Sequence, residues 1–513
     1  MQVRRLGLSV LFAAALSALI AGCRSRVDAP VPMASFEHSA FVTGEAEDVF
    51  KVGYGAIAQR FLAPISVEDV AVAGLRGLSD IDPRIAVGLV GDSVEVSLDG
   101  HPLGSFGTAK ARDVGGWARL TVRIWHLARE HSSLIAAATQ EDGYKAIFDR
   151  VVGALDANSR YATASAARRN RLRRDGYTGI GATIRIDHDE PVIVEINGRG
   201  PAERVGLRVG DVVTRIDGVP LAGLSEQEIS ERLQENIAGW VKITVRRPGR
   251  GLLNFVVKRS YLIAETVHER YEDGILVLVI DHFNQGTAES LQAPLKLLAT
   301  GPKNRLRGII LDLRDNPGGL LQQAVRSADL FLSGGEILST QGRHPDSDQL
   351  YMATGTDIAH GLPVILLVDG ETASAAELLA AVLQDRGRAV VVGSTTYGKG
   401  TVQTVIPLPN GGELSFTWSQ AVPPSGEILT GHGVTPAVCS AGLFVADPDA
   451  MDLLLARAAG GEARGEIREC PAERREGEVD VDLARKLIEQ PGLYALFLRR
   501  PAPLLPILRP PFP

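Results

Sequence analysis

Residues 363–383 read Pro363-Val364-Ile365-Leu366-Leu367-Val368-Asp369-Gly370-Glu371-Thr372-Ala373-Ser374-Ala375-Ala376-Glu377-Leu378-Leu379-Ala380-Ala381-Val382-Leu383. The unbroken apolar run Val364–Val368, ended by Asp369-Gly370-Glu371, has the length and content of a strand buried on both faces. From Thr372 onward the chain is rich in Ala and Leu and free of Gly and Pro, which predicts a buried helix. Ser374 then stands at the start of that helix, where unpaired N–H groups and the positive end of the dipole favour anionic oxygen. A hydroxyl at such a place can act as a nucleophile whose oxyanion is held by backbone N–H groups. The same residues also spell a capping box, Ser374 at N-cap and Glu377 at N3, and local sequence leaves both readings open.

A second buried strand, Ala389–Val392, follows, and then Gly393-Ser394-Thr395-Thr396-Tyr397-Gly398-Lys399-Gly400-Thr401-Val402-Gln403. The spacing approaches a phosphate-binding P-loop, but Gly400 replaces the hydroxyl that would hold magnesium. Val402–Leu408 is β-branched and contains Pro407, so it reads as extended where a P-loop requires a helix. Nucleotide binding is therefore rejected. A Lys enclosed by apolar walls loses hydration, its pKa falls, and the neutral amine can take a proton from a Ser hydroxyl. Lys399 is the candidate for that base and Gln403 for its hydrogen-bonded support; an ordinary Lys in a glycine turn is the other reading. A histidine base would require a Ser374–His432–Asp369 triad, with His432 between two glycines. There is no His-Glu-x-x-His and no cysteine cluster, so nothing calls for a metal or cofactor.

Three segments in order, Leu311-Asp312-Leu313-Arg314-Asp315-Asn316-Pro317-Gly318-Gly319, Thr372–Glu377 and Tyr397–Gln403, resemble the C-terminal processing (tail-specific) serine peptidases, as does the separation of 25 residues between Ser374 and Lys399. The resemblance covers residues 141–440. It implies that Ser374 and Lys399 form a catalytic dyad supported by Gln403, that Gly318, Gly319 and Ala375 supply oxyanion-hole N–H groups, and that the core is a crotonase-like spiral of ββα units. Independently, the repeated strand–helix units from Ile275 onward argue for an α/β core. The glycines can also be read as a tight strand-to-helix turn.

Residues 176–262 carry a second unit. Gly179-Ile180-Gly181-Ala182 leads into a strand, Val192–Ile196 is another, Ser225-Glu226-Gln227-Glu228 opens a helix as a capping box, and Val241–Val245 closes with a strand. This segment resembles a PDZ domain, which takes a peptide as an added strand and its terminal carboxylate on backbone N–H groups. The resemblance assigns that loop to Gly179, Ile180, Gly181 and Ala182. A PDZ fold that serves only as a structural or gating module is the alternative.

The remaining chain frames these units. Arg4-Arg5, the apolar Leu6–Ala21 and Ile20-Ala21-Gly22-Cys23 resemble a lipoprotein signal at 1–22, with Cys23 lipidated and 23–40 a tether. A plain membrane anchor is the alternative, for which the run is short. Only Cys439 and Cys470 remain, and outside the cytoplasm an isolated pair is a candidate disulfide. Residues 41–175 read as mainly helical, with Val49, Gly53, Ile57, Phe61, Val67, Val70, Leu75 and Leu78 at helical spacing around Pro64, and strands over Val90–Phe106 around the Asp99-Gly100 turn. Trp117–Tyr144 and Lys145–Leu155 read as helix. Residues 263–445 form the peptidase core. In the tail, 446–513, Gly460–Val481 reads as charged and exposed, Val481–Leu498 as one helix, and Pro501–Pro513 as extended.

With 513 residues, 45% of them hydrophobic, and a net charge of −7, the chain is long enough for several cores and has no basic tract for nucleic acid. The fold class expected is multidomain α+β: a crotonase-like α/β peptidase core, an inserted PDZ domain and a helical N-terminal region. The function expected is a lipid-anchored envelope endopeptidase acting on proteins with free C-termini. The rivals are a non-enzymatic PDZ scaffold with a peptidase-like core and an ester hydrolase.

Overall fold

Strand Val364–Val368 lies at the centre of a six-stranded sheet, and its two faces meet two different cores. In spatial order the strands are Val267–Glu272, Ile275–Ile280, Gly308–Asp312, Val364–Val368, Val390–Gly393 and Val438–Cys439. The first pair is antiparallel and every later pair is parallel. Side chains alternate across a strand, so Val364, Leu366 and Val368 enter one core while Ile365 and Leu367 enter the other. The apolar run is unbroken because neither face meets water. The computed structural model describes residues 42–198, 200–234, 239–300, 306–464 and 470–498. The expected signal segment, Cys23 and the tether lie outside the described residues, as does Pro501–Pro513. No helix among the described residues is long and apolar enough to cross a membrane.

The first core is covered by the helices Thr287–Thr300, Leu321–Asp329 and Ala375–Asp385 and backs onto a second sheet. That sheet runs Gln349–Met352, Glu336–Gly342, Glu413–Val422 and Thr401–Pro407. A short strand from the N-terminal region, Arg160–Ala162, also pairs with Glu413–Ser415, so the two regions share a sheet. The other core is closed by the C-terminal tail: Leu483, Leu487, Ile488 and Phe497 pack against Ile365, Leu367, Val390 and Val392. Each fully buried Leu, Ile or Phe contributes about 1.5–3 kcal/mol. The tail is thus part of the core's stability.

Several expectations are corrected. The single tail helix is two, Val479–Glu489 and Pro491–Phe497, because Pro491 cannot continue a helix but can begin one. Within the stretch expected to be exposed, Arg475, Val479 and Asp480 are buried. The expected 117–155 helices are three, Val114–His131, Ser133–Ala137 and Gln140–Gly153, since Ser132 and Thr139 cap new helix starts. The strand-like piece begins earlier, as the three-stranded meander Ile85–Val90, Ser93–Leu98 and His101–Gly107. The eight N-terminal positions picked for helical spacing are all buried.

Residues 177–262 form their own sheet, ordered Gly251–Lys258, Trp240–Arg247, Val212–Ile216, Glu190–Ile196 and Ala182–Asp187, around a separate core including Ile193, Val213, Ile229 and Val241. Strands Tyr177–Gly179 and Ser260–Leu262 pair as the stem that joins this unit to the rest. Ser225 and Glu228 form the expected capping box on helix Glu226–Leu233.

Candidate active site

Ser374 sits at the N-cap of helix Ala375–Asp385 with φ 56° and ψ −118°. Such a backbone is costly for a residue with a Cβ, about 1–3 kcal/mol, and persists only when surroundings enforce it. Here they do. Asp369 Oδ1 accepts from the N–H groups of Asp315, Glu371 and Thr372, which fixes the turn before Ser374. Ala373 N–H donates to the carbonyl of Asn316, stitching that turn to the Arg314–Gly319 loop.

Glu377 joins the two expected catalytic segments. Its fully buried carboxylate accepts from Ser374 N–H at 2.7 Å and Lys399 N–H at 2.8 Å on one oxygen. The other oxygen accepts from Gly398 N–H at 2.7 Å and the Thr396 hydroxyl at 2.5 Å. The capping box and the nucleophile-turn readings are therefore compatible: the same Glu that takes the N-cap N–H also holds the lysine turn. Four donors on a buried carboxylate form a satisfied network, the condition under which a buried charge is tolerated.

Ser374 and Lys399 line one cavity of about 470 Å³, together with Gly318, Gly319, Ala375 and Gln403. All six expected site residues of the core are thus brought together. No hydrogen bond joins the Ser374 hydroxyl to the Lys399 amine among the described residues. The Lys399 pKa is held below its usual value, chiefly by burial and then by Arg160, against the opposing pull of Asp156 and Glu377. Gln403 does not donate to Lys399; its amide donates to the Thr401 and Thr417 hydroxyls at 3.0 and 3.3 Å.

Gly318 and Gly319 crowd this centre. A Cβ on Gly318, at φ +94°, would lie 2.8 Å from Ser374 Cβ, and one on Gly319, at φ +141°, would lie 2.2 Å from the Phe283 carbonyl. Only glycine fits either place. Of the expected oxyanion donors, Gly318 N–H already donates to Asn316 Oδ1 at 2.8 Å. The N–H groups of Gly319 and Ala375 have no acceptor among the described residues. The histidine alternative finds no support, since His432 is exposed and Asp369 is occupied by backbone N–H groups.

Sequence reasoning missed Arg160, Asp156 and His282. His282 lines the cavity, its Nε2 is buried without a hydrogen-bond partner, and its pKa is pushed down by burial and by Arg173 against Asp281. No local pattern marks these residues, because each reaches the site through the fold.

A second concavity, of about 260 Å³, lies between strand Ala182–Asp187 and helix Glu226–Leu233 and is lined by Ile180, Ala182, Ile184, Ser230 and Leu233. Of the expected peptide-binding loop, Ile180 and Ala182 face this groove. Gly181 makes the turn at φ +74°, and Gly179 pairs with Ser260. Strand Ala182–Asp187 is the sheet's edge, where an added strand would pair, and its Ile186 N–H already donates to Glu226 Oε1 at 2.8 Å. Arg173 lines both the groove and the cavity that holds Ser374 and Lys399.

The model of "Peptidase family S41" matches residues 274–439, and a PDZ domain model matches residues 192–247. The carboxy-terminal-processing protease of Bartonella bacilliformis is 34% identical over 306 residues, covering 58% of this chain and 70% of that protein. The carboxy-terminal processing protease CtpA of Bacillus subtilis is 31% identical over 263 residues, covering 51% of this chain and 56% of that protein. The chain thus spans only part of these relatives' length. Among solved structures, the photosystem II D1 C-terminal processing protease is 26% identical, with 60% of this chain and 87% of that one covered at a TM-score of 0.33.

Proposed function

This chain belongs to peptidase family S41, the carboxy-terminal-processing serine proteases, and from that premise we propose that it is an endopeptidase working through a Ser374–Lys399 dyad. Lys399 Nζ, acting as the neutral amine that burial favours, takes the Ser374 hydroxyl proton as Oγ attacks a peptide carbonyl. The N–H groups of Gly319 and Ala375 hold the oxyanion. As the tetrahedral species collapses, the ammonium returns its proton to the leaving amine, and an ester on Ser374 remains. Lys399 then takes a proton from a water that attacks the ester, and returns it to Ser374 Oγ as the acyl–oxygen bond breaks and the carboxyl product leaves. The hydroxyl and amine meet when substrate fills the cavity, a tightening common to resting catalytic sites. Gln403 acts on the amine through its carbonyl oxygen, its amide being committed to Thr401 and Thr417.

The observation that carries this reading is a single one: a lysine with a burial-lowered pKa lines the same cavity as a hydroxyl at a helix N-terminus. We further read the PDZ groove as the receptor for substrate C-termini, Cys23 as a lipid anchor that holds the enzyme at the cell envelope, and the core as crotonase-like. The test is digestion of a disordered protein by wild type, Ser374→Ala and Lys399→Ala, with products read by mass spectrometry. Cleavage by wild type alone is the expected result; a Ser374→Ala protein that still cleaves removes the assignment. A wild type that binds C-terminal peptides and cleaves none favours the scaffold reading.

A further inference from the structure

A short segment beyond the family-matched residues touches the loops of both expected catalytic groups from outside. Cys439, at the end of the sheet's last strand, forms a disulfide with Cys470, with Cα atoms 5.8 Å apart. From Cys470 the chain crosses two loops in turn. The Thr395 hydroxyl donates to the Cys470 carbonyl at 2.5 Å, and the Ser394 hydroxyl donates to the Glu473 carbonyl at 2.7 Å while accepting from Glu473 N–H at 3.2 Å. Those residues lead directly to Lys399. Gly370 N–H donates to the same Glu473 carbonyl at 2.8 Å, and Arg475 N–H donates to Asp369 Oδ2 at 3.1 Å. Those residues lead directly to Ser374. The packing is close: a Cβ on Gly370 would lie 3.0 Å from Glu473 N. At its far end the buried Arg475 side chain is fixed by Asp480, Glu473 and the Leu443 carbonyl.

We propose that Cys470–Arg475 is a strap that positions the nucleophile and base loops relative to each other, and that the Cys439–Cys470 disulfide is its fastener. The inference rests on the Ser–Lys reading. Glu377 ties the loops together inside the core, and the strap ties them together from the back. Neither the strap residues nor the disulfide lines the cavity, so loosening them acts on geometry. A displacement of about 1 Å between reacting groups can cost about a hundredfold in rate. The fastener opens by exchange with a dithiol: the Cys439–Cys470 bond takes two electrons and two protons, giving two thiols, while the dithiol closes to its own disulfide.

The test uses the full chain. Wild type is treated with dithiothreitol, the two new thiols are counted, and three quantities are read: kcat, KM, and the rate at which a fluorophosphonate labels Ser374. Reduction is expected to lower kcat and labelling together by about ten- to a hundredfold, with KM within about twofold, and reoxidation restores both. The rate–pH profile of labelling moves its acid limb upward as Lys399 becomes better hydrated. Ser394→Ala, which removes both Ser394–Glu473 bonds and leaves the disulfide intact, lowers both rates in the same direction by a smaller factor. A merely structural strap lowers Tm and leaves kcat and labelling unchanged below the melting range, and that result overturns the proposal. If Ser374→Ala retains activity or labelling, the Ser–Lys reading fails instead; if it is dead while the reduced enzyme keeps its rates, the strap alone fails.

Discussion

The PDZ groove and the proposed catalytic cavity are built in opposite ways. The groove's strand, helix and glycine loop come mostly from within residues 177–234, and its lining is mainly apolar. Its capping box closes on itself within four residues, Ser225 to Glu228. The cavity draws on Arg160, His282, Gly318, Ser374, Lys399 and Ser415, segments more than 250 residues apart in chain order. It is lined by a non-glycine residue at positive φ, and behind it a buried carboxylate with four donors holds the two turns. A recognition surface needs shape and an open edge. A reaction centre needs groups fixed against their own local preferences, and that fixing is non-local.

The comparison breaks first if the two sites cannot be separated. Ser374→Ala is predicted to reduce kcat by about 10³-fold or more, as loss of a nucleophile does, while the affinity of a C-terminal peptide measured by fluorescence polarisation stays unchanged. Parallel loss of peptide affinity would show that the groove depends on the catalytic turn. Glu377→Gln comes next. The amide can satisfy at most two of the four donors and turns an N–H toward the others, so kcat is predicted to fall about a hundredfold. Urea unfolding should show a loss of about 2–4 kcal/mol from the unsatisfied buried donors. Glu228→Gln, the matching change on the PDZ helix, should leave both close to wild type, because that box is exposed.

What the sequence made legible follows the same division. Val364–Val368, Val390–Val392 and Ile275–Ile280 were readable because a strand buried on both faces has nowhere to place a polar residue. Ser374, Lys399 and the glycine turn were readable because each lies in a short motif. Glu377 was read correctly as a cap but its larger role was not visible, since its bonds to Gly398 and Lys399 cross 21 and 22 residues. Arg475 looked like one more surface charge between Arg474 and Glu476 in a charged stretch, whereas its burial is decided by Asp480 and the loop at Leu443. The helix breaks at Ser132 and Thr139 could have been read, for each is a cap residue, and Thr139 precedes Asp142 as a capping box requires.

A smaller effect sharpens the comparison from the groove's side. Ser230 lines the groove on helix Glu226–Leu233 and is only partly buried. Ser230→Trp should fill much of the roughly 260 Å³ concavity. The KM for a substrate with a free C-terminus is predicted to rise about tenfold, the loss expected when one good anchor of a peptide is refused. For a short substrate with a blocked C-terminus, kcat/KM should not change. A fall for both substrates would mean that the groove controls the cavity and does not merely deliver to it.

The smallest effect concerns charge at the cavity rim. Arg160 lowers the Lys399 pKa and Asp156 raises it, both from the segment before the PDZ unit. On the proposed dyad the base works as the neutral amine, so kcat/KM is predicted to rise with pH through the Lys399 pKa. Arg160→Gln removes a cation, eases protonation of Lys399 and moves that limb to higher pH, lowering activity a few-fold at neutral pH. Asp156→Asn removes an anion and moves it to lower pH. The stability sign is fixed by the same shift: between the folded pKa and the ordinary value of 10.5, the unfolded chain holds a proton that the folded chain has released. Stability from this group therefore rises with pH across that window, and Arg160→Gln narrows the window by raising its lower edge. Limbs that move in the same direction in both variants would mean that Lys399 is not the group whose titration sets the rate.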